Sequence, residues 1–112
     1  MRTTNLFILR GRVGQPPKAF NKSAKISVAT DRAWTDAKGE RREQTDWVTV
    51  TILNEKAAAW AIANVVKGDG VYAECRIADG SYKKGEETVY TTDVIAHVFH
   101  KLDLGSRDAA QA

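Results

Sequence analysis

The sequence is poor in the residues that most often carry catalysis, cross-linking or metal binding: one cysteine, two histidines, one methionine and two prolines in 112 residues. The single Cys75 cannot close an internal disulfide, which suits a reducing compartment. It sits in the apolar register of a strand, where an inert buried thiol is the better reading than a nucleophile. His97 and His100 are the only histidines, and on a regular strand positions three apart face opposite sides. Gly11 and Gly14 lack the Gly-Lys-Ser/Thr and the following helix of a phosphate loop. No catalytic residue, metal or cofactor is therefore expected. No apolar run approaches the roughly 18 residues of a membrane span. Charges and glycines also interrupt MRTTNLFILRGRVG, where a signal peptide needs an unbroken apolar stretch. The expectation is a cytoplasmic protein with no membrane partner.

Acidic residues are absent from the first 30 positions, which hold Arg2, Arg10, Arg12, Lys18, Lys22 and Lys25, a charge of +6. The remaining 82 residues hold 11 bases and 14 acids, or −3. A positive third on a slightly negative body is the asymmetry of a groove for a polyanion, and equally that of a solvated basic surface.

What is present is a folded chain of one domain, 43% apolar and long enough for a real core. Its centre is QTDWVTVTILN, residues 44–54. Val48, Val50 and Ile52 share one parity and Trp47, Thr49, Thr51 and Leu53 the other, the period of a half-buried strand. A large aromatic on the second face must be covered by a loop, another chain or a stacking ligand. A first strand is expected over 5–13, ended by Pro16 and Pro17, and a second over 25–34. Thr35 to Glu43 reads as a long hairpin loop. The Ala-rich stretch 55–67 predicts a helix, with Ile62, Val65 and Val66 spaced by three and four and Gly68 as its stop. A fourth strand is expected from Val71 to Ala78, a turn at Lys83 to Glu86, and a fifth strand over 88–99. Five strands with a helix between the third and fourth suit a Greek-key barrel of the oligonucleotide/oligosaccharide-binding (OB) type. An open α+β sheet fits the same order.

Nucleic-acid binding on such a barrel needs bases for phosphates and flat side chains for stacking. Candidates for phosphate contact are Arg10, Arg12, Lys18, Lys22, Lys25, Arg32, Arg41 and Arg42. Candidates for stacking are Trp34, Trp47 and Tyr82. Trp34 has the parity of the core residues Ile26 and Val28, so its exposure would require a bulge near Arg32. Trp60 reads as a structural ring covering the barrel end. Tyr72, Glu74 and Arg76 form a polar, aromatic face that is either solvated or a subunit interface.

With these residues in place, the chain resembles the bacterial single-stranded DNA-binding protein family. The likeness runs from Asn5 to about Val94. It rests on N-x-x-x-L-x-G-x-V-G-Q-x-P (Asn5, Leu9, Gly11, Val13, Gly14, Gln15, Pro17), on I-S-V-A-T followed by Trp34, and on E-Q-T-D-W at Glu43 to Trp47. Lys67-Gly68 with Val71 to Glu74, and Tyr90 to Val94, complete it. The resemblance implies an all-β OB-fold with one helix, a homotetramer with a dimer as the alternative, and sequence-independent binding of single-stranded DNA in replication, recombination or repair. It places stacking at Trp34, Trp47, Leu53 and Tyr82. Leu53 stands where the family has Phe and Tyr82 where Trp is common, which predicts weaker binding per subunit. Family members commonly continue into a long tail with an acidic tip that recruits other proteins. The expectation here is a binding domain over 1–103, a short flexible tail over 104–112 without that recruiting role, and an accessory or mobile-element paralogue. A protein-interaction module that has drifted from DNA, or an RNA binder, is the alternative reading.

Overall fold

The computed structural model describes residues 1–102. The expected tail, 104–112, lies outside the described residues. The strands are β1 (Phe7–Val13), β2 (Lys18–Phe20), β3 (Ser23–Thr35), β4 (Arg41–Ile52), β5 (Gly70–Lys84) and β6 (Glu87–Lys101), with α1 (Glu55–Asn64) between β4 and β5. Apart from the three-residue β2, this is the expected order of five strands with a helix after the third.

The sheet runs β1-β5-β6-β4-β3-β2, and β1 also pairs with β3, which closes a five-stranded barrel. The open-sheet alternative is thereby excluded. All pairings are antiparallel except β4 with β6, where Val50 opposes Val94 and Thr51 opposes Ile95. Closure depends on β1 serving two neighbours. It pairs with β5 from Phe7 to Arg12 and passes to β3 at Arg12 and Val13. Gly11 makes this crossing possible, since a Cβ there would lie 2.3 Å from the Ala29 carbonyl oxygen. Ahead of β1, the Asn5 side chain donates to the Ile77 carbonyl (2.7 Å) and accepts from the Ile77 N–H (3.0 Å), mimicking a strand pair.

The core takes one parity from each strand: Leu9 and Val13, Ile26 and Val28, Val50 and Ile52, Val71, Ala73 and Cys75. These side chains supply most of the driving force, at about 25 cal/mol per Å² of apolar surface buried. Val48 packs partly buried against them. In β6 the partner of Glu74 is Val98 and that of Cys75 is Ala96, so His97 is the extra residue of a β-bulge. The bulge turns both Ala96 and Phe99 toward the core. Strict alternation therefore does not separate His97 from His100 as expected, and among the described residues no group of three metal-ligating side chains occurs.

The helix starts where Asn54 caps it, its side chain accepting from the Ala57 N–H at 2.9 Å. It ends at Asn64, earlier than the pattern predicts, because Val65 turns extended and drops into the core at 2% exposure. Ala58, Ala61 and Val65 close the barrel end, while Ile62 and Val66 face outward. Gly68, with φ +96°, belongs to the following turn, whose N–H donates to the Val13 carbonyl. Trp60 does not plug the barrel. It stands 40% exposed in a cleft beside Phe99 and His100.

Two hairpins project beyond the core as arms. β3 and β4 continue pairing without a break to Thr35 opposite Arg41, so the expected loop shrinks to the five-residue turn 36–40, with Thr35 and residues 41–43 in strand. At its tip Asp36 accepts from the backbone N–H groups of Lys38 and Glu40 and from Arg42 Nε, each at 2.9 Å. β5 and β6 form the second arm, ending at Lys84 opposite Glu87.

Candidate nucleic-acid interface

The outer face of β2, β3 and β4 carries the residues of non-core parity. Across it, Ala29 opposes Trp47, Ser27 opposes Thr49, Lys25 opposes both Thr51 and Lys18, and Ser23 opposes Phe20. Leu53 follows β4 on the same parity, 53% exposed.

Trp47 is 60% exposed, yet it is held from behind. Its six-membered ring fills the space that a side chain at position 14 would take: a Cβ on Gly14 would lie 2.0 Å from Cζ3 and 2.8 Å from Cη2. Gly14 is itself tied to β3, its N–H donating to the Ser27 carbonyl at 2.9 Å. A ring fixed on one side by backbone and open on the other is a stacking platform.

Two other expected stacking residues, Trp34 and Tyr82, lie apart from this face. Trp34, opposite Arg42, has the parity of Ile26 and Val28, so it is on the reverse face of the β3–β4 ribbon from Trp47. No bulge near Arg32 exposes it, contrary to expectation, for the register is continuous there. Trp34 is 40% exposed because the ribbon has left the barrel and has no core to offer. The Arg32 guanidinium lies 4.7 Å from its ring centroid. Tyr82 is 54% exposed on the β5–β6 arm, next to Lys83 and Lys84.

The expected phosphate contacts divide into two groups. Arg12 pairs with Asp31 (2.8 Å), Lys22 with Glu55 (3.9 Å), Arg32 with Asp46 (2.8 Å), Arg41 with Glu43 (3.3 Å) and Arg42 with Asp36 (2.9 Å). Thr45 and Arg12 hold the Asp31 carboxyl below its ordinary range, and the Glu40 N–H with Arg42 does the same for Asp36. Among the described residues Arg10, Lys18 and Lys25 have no carboxylate within salt-bridge distance. Of the basic third, Arg12 and Lys22 are thus paired with acids from outside it.

On β5, the Tyr72 hydroxyl donates to Glu74 Oε2 at 2.7 Å, and its ring stacks on His100 with centroids 6.5 Å apart. The Glu74 carboxylate, with burial, pushes the Tyr72 hydroxyl up. Tyr72, Glu74 and Arg76 are half-buried within the single chain. Cys75 is fully buried and burial raises its thiol, which removes it from any reactive role.

Two features escaped the sequence. Phe20 is 50% exposed on the Trp47 face. The only signal for it was Asn21-Lys22 between two short polar strands, a two-residue hairpin turn. Gly14 reads as a strand bend, whereas its missing side chain seats Trp47.

A closed small barrel that offers exposed rings and unpaired cations on its outer surface defines an OB-fold protein of the nucleic-acid-binding class. The chain belongs to the Single-strand binding protein family, whose model matches residues 4–102. Among solved structures, the SSB of Plasmodium falciparum in complex with ssDNA has a TM-score of 0.76 at 24% identity, covering 92% of this chain and 98% of its own. The wild-type single-stranded DNA binding protein of Thermus aquaticus gives 0.74 at 22% identity, covering 95% of this chain and 53% of its own. The mitochondrial single-stranded DNA binding protein Rim1 of S. cerevisiae gives 0.63 at 22%, covering 93% and 100%. These likenesses establish the fold. The chain spans about half the length of the Thermus protein.

Proposed function

We infer that the protein binds single-stranded DNA without catalysis, stacking bases on Trp47 and drawing phosphates with the unpaired cations beside it. The observation that carries this reading is the Trp47 ring, backed by Gly14 and 60% exposed. Stacking accepts any base because every base has a π-face, so little sequence preference follows. Trp34 and Tyr82, on the two arms, would extend the path, and Leu53, which has no ring, would give a weaker contact. Titrating poly(dT) at low salt while following Trp fluorescence tests the reading, and no quenching would sink it.

The DNA reading extends to a homo-oligomer, tetrameric or dimeric, in a bacterial cytoplasm, serving replication, recombination or repair. Supporting assembly are the half-buried Tyr72, Glu74 and Arg76 face and the exposed Leu6 and Ile8 at β1. Light scattering across protein concentrations checks it, and a monomer throughout would refute it. Among the described residues no helix is long and apolar enough to cross a membrane.

The self-neutralised arginines favour one second reading, an interaction module on the same scaffold that no longer engages DNA. Trp47→Ala separates the two. DNA affinity falls with oligomeric state unchanged under the first, and is little changed under the second.

A further inference from the structure

We propose that Phe20 is an additional base-stacking platform, serving the same outer face as Trp47 and flanked by a lysine pair that takes a phosphate. The proposal rests on the DNA-binding reading above and extends its path from β4 across β3 to β2.

Lys18 and Lys25 are direct cross-strand partners. Like charges directly opposite on paired strands are destabilising, and neither lysine has a carboxylate within salt-bridge distance among the described residues. Six other bases among the described residues are given an acid; these two face each other. An anion bound between them would relieve the repulsion. Their partner is therefore an anionic group, and the neighbouring ring makes it one attached to something flat.

That ring is Phe20. It is 50% exposed, and Lys25 Nζ sits 4.8 Å from its centroid. The residue is also presented rigidly. Asn21 holds the left-handed conformation, φ 55°, of a tight turn, and the Ser23 hydroxyl donates to the Phe20 carbonyl at 2.8 Å. A turn backbone ordered in advance avoids the cost of ordering it on binding. Between Phe20 and the Trp47 end of the face runs a groove of about 330 Å³, lined by Pro16, Lys18, Phe20, Lys25 and Thr49. The six residue-to-residue steps along β3 from Ser23 to Ala29, the partners of Phe20 and Trp47, advance roughly 20 Å at about 3.3 Å per residue. One ring lining a lysine-bearing groove, and a second on the same face two residues before Thr49 of its lining, match a strand of alternating bases and phosphates. A single exposed Phe is common on proteins and needs no ligand; the unrelieved lysine pair is what sets this one apart.

The test is titration of the full chain with dT oligonucleotides at low salt, alongside photocrosslinking to an iododeoxyuridine oligonucleotide with peptide mapping. Phe20→Leu keeps apolar bulk and removes the ring, Phe20→Ala removes both, and Phe20→Tyr restores the ring. Loss of one stacked base predicts about 5- to 150-fold weaker binding for Phe20→Leu and Phe20→Ala. Phe20→Tyr should bind like the parent chain, with unchanged thermal melts in all three and a crosslink on the peptide holding Phe20. Leu and Ala variants that bind as tightly as the parent, with crosslinks only on the Trp47 peptide, overturn the proposal and leave the DNA-binding reading standing. A parent chain that does not bind dT overturns both.

Discussion

Replacing Gly14 by Ala tests how Trp47 is held. The new Cβ would fall 2.0 Å from Cζ3 and 2.8 Å from Cη2, where carbon atoms settle at about 3.5–4.0 Å. The ring must retreat by roughly 1.5–2 Å. The obstructing atoms are the far end of an exposed side chain, so the ring can swing into solvent and the barrel should melt near its parent temperature. What is lost is the position of the platform. Losing one stacked base amounts to about 1–3 kcal/mol, or roughly 5- to 150-fold in affinity for dT oligonucleotides. The double variant Gly14→Ala, Trp47→Ala sharpens the test. If Gly14 acts only through the ring, the pair binds no worse than Trp47→Ala alone. Parent-like affinity for Gly14→Ala, or losses that simply add, would refute the reasoning.

The remaining predictions draw on other parts of the molecule. Gly11→Ala meets a backbone oxygen at 2.3 Å instead of a mobile ring, so it should cost about 1–3 kcal/mol of stability and lower the melting temperature by roughly 5–15 °C; a calorimetric scan that matches the parent contradicts this. If only Arg10, Lys18 and Lys25 neutralise phosphates, log affinity against log salt should slope at about −2 per protomer, against roughly −5.6 if all eight expected bases do. Leu53→Phe should tighten dT binding by about 3- to 10-fold by adding a ring beside the Trp47 face, with weaker binding the adverse result. The Asp36 carboxyl lies below its ordinary 3.8 because the Glu40 N–H, Arg42 and the Lys38 N–H favour its charged form. A depressed acid contributes stability that is present above 3.8 and lost as pH falls through its folded value. Trp34 fluorescence should therefore change on acidification below that point and do so less in Asp36→Ala; identical acid titrations would count against it.

The barrel was legible because period-two alternation marks the core parity of β1, β3, β4 and β5, and because the alanines with the spacing of Ile62, Val65 and Val66 mark α1. Three things were hidden. Whether Thr35 to Glu43 is loop or strand depends on Asp36 collecting three donors at the tip, and composition alone reads only polarity there. The exposure of Trp34 could not follow from parity, since parity assigns a face and not whether a core lies behind it. The bulge at His97 leaves no mark in a run of β-branched and aromatic residues. For the interface, Trp47 stood out as an aromatic on the wrong face, whereas pairing of the arginines with Asp31, Asp36 and Asp46 depends on cross-strand register that single-strand patterns do not contain.

The Asp36 tip has a calorimetric consequence. Fixing backbone costs about 1–2 kcal/mol per residue, so leaving turn residues 36–40 slack until a ligand arrived would add roughly 5–10 kcal/mol of unfavourable entropy to binding. Here that ordering is completed when the chain folds. Engagement of the β3–β4 arm should then carry the heat-capacity change of surface contact alone, without the larger change that accompanies coupled folding.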